Sequence, residues 1–400
     1  MKKIILMYSG GLDTSVILKW LQQNYQAEII TLTMDLGQVK DDFNSIKKKA
    51  LKLGATKAYV IDGKKEFAEN YITKSIKANG LYQGVYPLST ALGRPLISKY
   101  AVKIAHKENT NLIAHGCTGK GNDQIRLEVS ASVLDPKMKF IAPVREWNMG
   151  RDQELAFAKK NNIPISVSSK SPYSIDDNMW GKSTEGGIIE DPEKEIPINK
   201  IINWVTPIEK AKDKAVYVSL KFVNGVPVSL NNENLKLNEL VTKLDEIGCQ
   251  HGIGIIEHIE DRVIGIKIRD LYECPAAMII LKAHQDLESY VSTIYENQFK
   301  KIIDEKWAYL VYAGFWYEPL LNNLNKFIDE HNKKVEGEVI LKLYKGNVKV
   351  VSRKSKYGLV DQKLSTFMYE SEFEQKDAVG FIKNWGTPSI LSNNLLKKGK

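Results

Sequence analysis

The first 165 residues alternate short apolar runs, rich in β-branched side chains, with amphipathic stretches. The runs are typical of buried strands and the stretches of helices, because side chains repeat with different periods on the two elements. Strand, helix, strand in this order indicates βαβ units and a parallel sheet. Since ligands bind such sheets beyond the carboxyl ends of the strands, the loops after the first, second and fourth strands are the candidate sites.

The sequence predicts five strands in this region, at Lys3–Tyr8, Glu28–Met34, Lys57–Ile61, Asn111–Ala114 and Lys139–Pro143. It predicts five helices, at Thr14–Asn24, Asp41–Leu53, Arg94–Glu108, Gln124–Leu134 and Arg151–Asn161. Together they predict an α/β domain built on a parallel sheet over residues 1–165.

The remainder of the chain has a different pattern. Residues 164–200 are rich in proline, serine and glycine, which is typical of a linker, although loops of this length are often functional. Residues 215–365 look α+β, and a helical tail follows, so we expect domains at 166–365 and 366–400. Two hairpins are predicted, Val216–Val223/Val226–Leu230 with its turn at Asn224-Gly225, and Glu338–Tyr344/Val348–Ser352 with its turn at Gly346-Asn347. A strand is predicted at Arg262–Ile268, and helices at Leu237–Ile247, which Gly248 closes, Ala276–Lys301 and Glu318–Asn332. The tail helix is predicted from Lys376 through Trp385.

Composition narrows the function classes. The chain has 400 residues and a net charge of +9, but only seven basic residues are arginine, and the lysines are scattered among acidic residues. A lysine-rich solvated surface explains this better than a nucleic-acid site, although an anionic partner or substrate stays possible. Apolar runs are too short for a membrane span, so no membrane partner is expected. The three cysteines form no CxxC pair, which predicts no zinc site and fits a cytoplasmic protein.

The first candidate loop is Ser9-Gly10-Gly11-Leu12-Asp13-Thr14-Ser15, between a predicted strand and a predicted helix. Its glycines permit a sharp turn, its hydroxyls donate hydrogen bonds, and the helix that follows offers unpaired N–H groups. These features predict a phosphate or pyrophosphate site. The loop lacks the lysine of GxxxxGK[ST], and it is not GxGxxG. A merely structural glycine turn is the alternative.

The second candidate loop runs from His115 to Arg126 and also joins a strand to a helix. Its backbone N–H groups and Lys120 suit phosphates, whereas Thr118, Asn122 and Asp123 suit the head group of an amino acid. Arg126 could bind a carboxylate bidentately. His115 is more often a structural hydrogen bonder than a base, and a mobile polar turn is the alternative for the whole loop.

The third candidate is the polar stretch 172–187, in which Ser174 and Ser183 could reach a ligand. Alone it is a weak signal, because surface loops share this composition. No motif for a covalent nucleophile accompanies these loops. Two anion-binding loops without an acid–base pair favour a reaction driven by positioning and charge stabilisation, such as phosphoryl or nucleotidyl transfer.

Ser-Gly-Gly-x-Asp-Thr-Ser after the first strand resembles the pyrophosphate loop of the N-type ATP pyrophosphatases, which are adenine nucleotide alpha hydrolase-like in fold. With the second and third loops, the chain resembles the argininosuccinate synthase family over nearly its whole length. Further matches lie at Gly225–Val228, His251–Gly254, Arg262–Gly265, Tyr272-Glu273 and Tyr312–Trp316.

The resemblance implies that ATP, L-citrulline and L-aspartate give argininosuccinate, AMP and pyrophosphate through a citrullyl-adenylate, with Mg²⁺ screening the pyrophosphate. It also implies a homotetramer whose C-terminal segments reach across subunits, although a solvated terminal helix is the alternative.

The resemblance implies these site residues, named by their positions here: for ATP, Met7, Tyr8, Ser9, Gly10, Gly11, Leu12, Asp13, Thr14, Ser15, Met34 and Gly116; for aspartate, Thr118, Asn122 and Asp123; for citrulline, Tyr86, Asn122, Arg126, Ser174, Ser183, Glu260 and Tyr272. The candidate catalytic residues are Ser9, Asp13, Lys120 and Asp123, and no metal ligands are assigned.

The chain departs from the family pattern at five positions, which are Met34, Ala91, Ile255, Asp261 and Ile268. By the resemblance, Met34 would lie on the adenine side, Ala91 near citrulline, and Ile255, Asp261 and Ile268 in the second domain. Two alternatives are another N-type ATP pyrophosphatase, such as a tRNA-thiolating enzyme, and a non-catalytic nucleotide-binding module.

Overall fold

A computed structural model describes residues 2–38, 42–147, 149, 151–164 and 172–398 of the chain. The chain forms two compact units, Met1–Tyr357 and Gly358–Lys400. The βαβ region, and the α+β region as far as Tyr357, belong to the first unit. The predicted domain boundaries after residues 165 and 365 stay predictions. Within the described ranges, no helix is long and apolar enough to cross a membrane.

The N-terminal region is a five-stranded parallel sheet in the order β3-β2-β1-β4-β5, as the alternation predicted. Its strands are β1 Lys3–Met7, β2 Glu28–Asp35, β3 Lys57–Asp62, β4 Leu112–Ala114 and β5 Lys139–Ile141. Its helices are α1 Leu12–Tyr25, α2 Phe43–Lys52, α3 Lys64–Phe67, α4 Thr73–Lys77, α5 Ser89–Lys107, α6 Asp123–Leu134, α7 Pro143–Glu146 and α8 Arg151–Lys160. Because β1 is central and its sides are buried, its carboxyl end is the middle of the candidate site.

Helix α5 begins earlier than the sequence predicts. The structure starts α5 at Ser89, five residues before the predicted Arg94, so Pro95 lies inside the helix and does not open it. The first turn of α5 is buried, and tertiary packing therefore outweighs the preference of proline for a helix start. Asp41, the predicted first residue of α2, lies outside the described residues.

A four-stranded antiparallel sheet, in the order β11-β12-β7-β6, follows. Its strands are β6 Ser174–Asn178, β7 Gly181–Glu185, β11 Ile255–Asp261 and β12 Lys267–Glu273. The linker interpretation of 164–200 was therefore wrong for the hairpin β6–β7, whose strands are too polar to show an apolar alternation. The predicted strand Arg262–Ile268 was also wrong, because the chain turns there and the Arg262 N–H bonds to the Ile266 carbonyl at 2.8 Å.

The third sheet is antiparallel in the order β10-β9-β8-β13-β14. Its strands are β8 Val216–Val223, β9 Val226–Leu230, β10 Glu233–Asn234, β13 Gly337–Tyr344 and β14 Asn347–Lys354. Helices α9 Ile198–Ile201, α10 Leu237–Gln250, α11 Pro275–Val291, α12 Ile294–Tyr312 and α13 Pro319–Asn332 accompany it. Both predicted hairpins are confirmed, with the second turning at residues 345–346 rather than 346–347.

The single predicted helix Ala276–Lys301 is two helices, α11 and α12. Thr293 separates them, because its Oγ1 accepts the Glu296 N–H at 3.3 Å while Glu296 Oε2 accepts the Thr293 N–H at 2.8 Å. This capping box starts a new helix. Gly248, predicted to close α10, instead lies inside it, where an added Cβ would meet the Pro275 side chain at 2.8 Å. Close packing of α10 on α11 therefore explains that glycine.

The second unit contains α14 Gln362–Ser365 and α15 Asp377–Lys398. Helix α15 continues well beyond Trp385, the predicted end of the tail helix. None of its residues is buried.

A buried ion pair joins β7 to β12 and predicts a large effect on stability. Lys182 and Glu273 are 3% and 1% exposed, and Lys182 Nζ lies 2.7 Å from Glu273 Oε1. The other carboxylate oxygen accepts the N–H groups of Trp204 and Val205 at 2.8 and 2.7 Å. We expect Glu273→Gln to lower the free energy of unfolding by about 3–5 kcal/mol, because it leaves a buried ammonium without its counter-charge.

Urea denaturation measures this effect. The matched control is Glu233→Gln, which removes the charge from an exposed pair with Lys243. Such a change costs about 0–1 kcal/mol. Equal loss of stability in the two variants would contradict the assignment.

Candidate active site

One cavity of about 550 Å³ lies at the carboxyl ends of β1, β2 and β4. Its walls also include residues of the hairpin β6–β7 and of strands β11 and β12. Pockets of this size suit a small ligand with a few polar anchors. The three loops that the sequence singled out therefore meet around one space, together with two antiparallel strands.

The loop after β1 forms the first wall. Gly10 has a φ of +82°, a left-handed conformation that favours glycine, and an added Cβ would lie 2.8 Å from Ile46 Cγ1. Gly11 precedes α1 and no side chain caps the helix there. The unpaired N–H groups of the first turn therefore suit an anion. Ser9 Oγ lies 3.2 Å from Thr14 Oγ1, which groups two hydroxyls at the same place.

Ser15 has a structural position. Its hydroxyl donates to the Gly11 carbonyl at 2.6 Å, so the Tyr8 hydroxyl, 3.0 Å away, is the donor to Ser15 Oγ. The side chain is fully buried and does not line the cavity. Ser15 thus holds the turn of the loop, and its predicted place among the ATP contacts is not supported by its position.

Lys49 on α2 supplies a cation that the loop sequence lacks. Its Nζ donates to the Gly10 carbonyl at 2.6 Å, and the residue lines the cavity beside the loop. Burial lowers the pKa of this ammonium. Among the described residues, no carboxylate contributes to its pKa, which burial alone lowers. No motif marks Lys49, because it is one of several lysines on the same helix.

The loop after β4 brings Asp123 between two guanidinium groups. Asp123 accepts from Arg94 Nη2 at 2.7 Å and from Arg126 Nη1 at 2.9 Å. Burial favours the neutral acid, but the two arginines outweigh it and lower the pKa of Asp123 to about 2. Asp123 is therefore a carboxylate at neutral pH. Arg94 also bonds to Asp176, a second carboxylate of the cavity wall.

The guanidinium group of Arg126 has one nitrogen that makes no hydrogen bond in the described part of the chain. Its Nε donates to the Tyr312 carbonyl at 2.8 Å and its guanidinium lies 4.8 Å from the centre of the Tyr312 ring. Its Nη2 is buried without a hydrogen-bond partner in the described part of the chain. A buried donor without a partner is costly, so this nitrogen is the atom available to a substrate carboxylate.

The other residues of the second loop divide into two groups. Gly116 and Thr118 line the cavity, whereas Lys120 does not, and its exposed side chain gives no support to a catalytic role. The fully buried His115 places Nε2 2.8 Å from Glu128 Oε1. His115 also lines the cavity, and its structural role stays a prediction.

A network of phenols and carboxylates forms the far end of the cavity. Tyr312 OH donates to Glu260 Oε1 at 2.6 Å, and Tyr272 OH lies 2.7 Å from Glu260 Oε2. Asn122 Nδ2 donates to Tyr312 OH at 2.7 Å, and Asn122 Oδ1 accepts the Val263 N–H at 3.0 Å. Half of the hydrogen-bonding capacity of Asn122 is therefore used within the protein, and one amide hydrogen and one lone pair remain for a ligand.

The hairpin β6–β7 adds hydroxyls to this end. Ser183 Oγ lies 3.3 Å from Thr90 Oγ1 on α5, and Ser174 lines the cavity on the paired strand. Tyr86 stacks on Tyr272 with ring centres 4.2 Å apart.

The predicted site residues can now be placed together. Those that line the cavity are Met7, Tyr8, Ser9, Gly10, Gly11, Leu12, Asp13, Thr14, Met34, Tyr86, Gly116, Thr118, Asn122, Asp123, Arg126, Ser174, Ser183, Glu260 and Tyr272. Charged lining residues that the sequence analysis did not assign are Lys49, Arg94, Asp176, Glu185, Arg262 and Asp270. Asp176 and Glu185 lie within the third candidate stretch, whereas Lys49, Arg94 and Asp270 lie on helices and a strand that no motif marks as a site.

No cluster of three or more histidine, cysteine or acidic side chains could hold a metal ion within the described ranges. Mg²⁺ bound with nucleotides commonly takes one or two carboxylates and otherwise phosphate and water oxygens. Asp13, which belongs to the loop after β1 and lines the cavity, is a donor of that kind. The site thus fits a metal carried in with the nucleotide better than a metal bound by protein alone.

The fold and the anion loop after β1 define a nucleotide-binding protein of the N-type ATP pyrophosphatase class. A family model described as the arginosuccinate synthase N-terminal HUP domain matches residues 3–164, and one described as the arginosuccinate synthase C-terminal domain matches residues 173–391. The chain belongs to the argininosuccinate synthase family, whose members are ligases that form a C–N bond.

Individual relatives agree. The chain is 55% identical over 394 residues to an argininosuccinate synthase of Pyrococcus furiosus, covering 98% of this chain and 95% of the relative. It is 48% identical over 399 residues to one of Dictyoglomus turgidum, covering 100% and 99%. A solved U34-tRNA thiolase of Methanococcus maripaludis aligns with 43% of this chain and 60% of its own at 18% identity, but its TM-score of 0.28 is too low to carry an argument.

Proposed function

We propose that this chain joins L-citrulline to L-aspartate at the expense of ATP. The ureido oxygen of citrulline attacks the α-phosphorus, the bond to the β-phosphate oxygen breaks, and pyrophosphate leaves. The aspartate amine then attacks the ureido carbon, loses a proton, and expels AMP to give argininosuccinate. Adenylation is needed because the ureido oxygen is otherwise too poor a leaving group for an amine to displace.

The phosphate loop supports the first step through charge. Pyrophosphate leaves with growing negative charge, and the N–H groups at the start of α1 with the hydroxyls of Ser9 and Thr14 would stabilise it. Mg²⁺, when bound, would screen the same charge with Asp13 as a protein ligand. Met34 lies in the wall on the β2 side, where the adenine would pack.

The charged groups of the second loop support the second step. The Asp123 carboxylate suits the ammonium or amine of aspartate, and Thr118 offers a hydroxyl beside it. The unpaired Nη2 of Arg126 suits the carboxylate of citrulline. Glu260, Tyr272 and the serines of β6–β7 would hold the remainder of the citrulline head group.

One observation carries this proposal: an anion-binding helix start and a set of amino-acid-binding charges face the same 550 Å³ cavity. Release of pyrophosphate from ATP tests it, measured with and without citrulline and aspartate. We expect release to require citrulline. Unchanged release when citrulline is omitted would overturn the function.

We propose that Lys49 also binds the departing pyrophosphate. Lys49→Ala should weaken inhibition by added pyrophosphate about 10- to 100-fold, because a hydrogen bond to a charged group contributes about 1.5–3 kcal/mol. Inhibition by added pyrophosphate is measured because it reports the contact with pyrophosphate itself, whereas a distorted loop would also weaken the binding of ATP.

Lys48→Ala is the matched control, since Lys48 is exposed on the same helix and lies outside the cavity. Lys49→Arg should recover part of the pyrophosphate affinity. Equal inhibition constants for the Lys48 and Lys49 variants would rule out the contact.

Two finer expectations stay proposals. A cytoplasmic location is supported by three free cysteines in the chain. A homotetramer is supported by the resemblance, and by a C-terminal helix with exposed apolar side chains such as Phe381 and Trp385. Light scattering on the full chain gives the number of subunits.

A further inference from the structure

Asp270 is a buried carboxyl of the cavity wall to which neither the sequence nor the reaction above gives a role. It lies on β12, is 5% exposed, and its Oδ1 has no hydrogen-bond partner in the described part of the chain. A buried oxygen without a donor is costly to the protein. Such an oxygen beside a binding cavity therefore points to a donor that arrives with a ligand.

The donors around Asp270 are too few for two carboxylates. Tyr272 OH lies 3.1 Å from Asp270 Oδ2 and 2.7 Å from Glu260 Oε2. A phenol has one proton, and its shorter contact is with Glu260. Glu260 also receives the proton of Tyr312, so Asp270 is the less satisfied of the two.

The charges around Asp270 act in the same direction. Glu260 on β11 and Glu185 on β7 repel a second negative charge, whereas Arg262 in the turn before β12 lies 3.9 Å away and is itself paired with Glu185. Burial, then Glu260 and Glu185, raise the pKa of Asp270 to about 8 despite Arg262 and the hydrogen bond of Tyr272. Asp270 therefore carries a proton in the empty site at neutral pH.

We propose that Asp270 and Glu260 together bind the α-ammonium group of citrulline, and that Asp270 releases its proton to solvent when that ammonium binds. The ammonium brings three N–H donors and a positive charge, which supply what the empty site lacks. The O–H bond of the Asp270 carboxyl breaks, the proton leaves for water, and the carboxylate stays paired with the cation. This inference rests on the proposed function, because citrulline is the ligand.

The linkage has a definite sign. Below pH 8, binding must remove a proton, so citrulline affinity should rise about tenfold for each pH unit from pH 6 towards pH 8 and then level off. Asp270→Asn has no proton to release, so its affinity should show no such rise. At pH 7 the wild-type protein should release roughly 0.9 proton per citrulline bound.

Isothermal titration calorimetry measures the release, by titrating citrulline in two buffers of different ionisation enthalpy with a non-hydrolysable ATP analogue present. The matched control is Asp261→Asn, which removes a carboxylate of β11 that pairs with Lys267 and does not line the cavity. It should release the same number of protons as the wild type. Asp270→Glu should keep a measurable release, which separates loss of the carboxyl from loss of the fold.

The outcomes are distinguishable. Citrulline binding by the wild type without proton release, or full release by Asp270→Asn, would overturn the role of Asp270 and leave the proposed function intact. Absence of citrulline binding, together with pyrophosphate release that does not depend on citrulline, would overturn both.

Discussion

Gly10→Ala should lower kcat/KM for ATP by about 100-fold or more. The backbone at Gly10 has a φ of +82°, which costs an alanine about 1–2 kcal/mol. The new Cβ would also meet Ile46 Cγ1 at 2.8 Å and Cγ2 at 3.0 Å, so either α2 or the loop must move. A shift of about 1 Å in groups that position a reacting phosphate is sufficient for an effect of this size.

Steady-state kinetics with varied ATP measure the change. The matched control is Gly84→Ala, because Gly84 has a similar φ of +75° but nothing within 4 Å of an added Cβ, and it does not line the cavity. The control carries the backbone strain without the collision. An unchanged kcat/KM for ATP in the Gly10 variant would mean that the loop does not hold the nucleotide.

Asp123→Asn should separate the two half-reactions. We expect the KM for aspartate to rise by about 10- to 100-fold, because an amide cannot replace a carboxylate opposite an ammonium. Citrulline-dependent exchange of labelled pyrophosphate into ATP should persist, since adenylation does not use aspartate. Because the pKa of Asp123 is lowered to about 2, the aspartate requirement of the wild type should not titrate through this group near neutral pH.

Asp176→Asn provides the comparison, because Asp176 is the other carboxylate bound to Arg94. If the role of Asp123 were only to hold Arg94, both variants would lose the same activity. A larger aspartate effect in the Asp123 variant assigns the contact to Asp123. Complete loss of exchange in that variant would contradict the separation of the two steps.

The parallel sheet and its loops were predictable because their signals are local. Apolar runs, helical periods and the glycines at positions 10 and 11 each predict the structure of their own segment. A parallel sheet then places the loops that follow its strands at one edge. The Asn224-Gly225 turn was predictable for the same reason, since both residues have positive φ.

The parts that sequence reasoning missed depend on contacts between distant segments. The β6–β7 hairpin is polar because it faces the cavity, so its alternation was hidden. Arg94 and Arg126 share Asp123 from two helices, and no spacing along the chain reveals such a pair. Lys49 differs from its neighbours only in reaching the Gly10 carbonyl. The division of α11 from α12 is the exception, because it was predictable: Thr293 and Glu296 have the spacing of a capping box in the sequence.

Tyr312 connects residues for which we propose different substrates. Its hydroxyl bonds to Asn122 and Glu260, and its carbonyl accepts from Arg126. Replacing the Tyr312 side chain would therefore release Asn122 and Glu260 together, whereas the backbone carbonyl that accepts from Arg126 would remain. Substrate preference in this scaffold should be retuned from the rim, through side chains such as Ser174 that share no partner with this tyrosine.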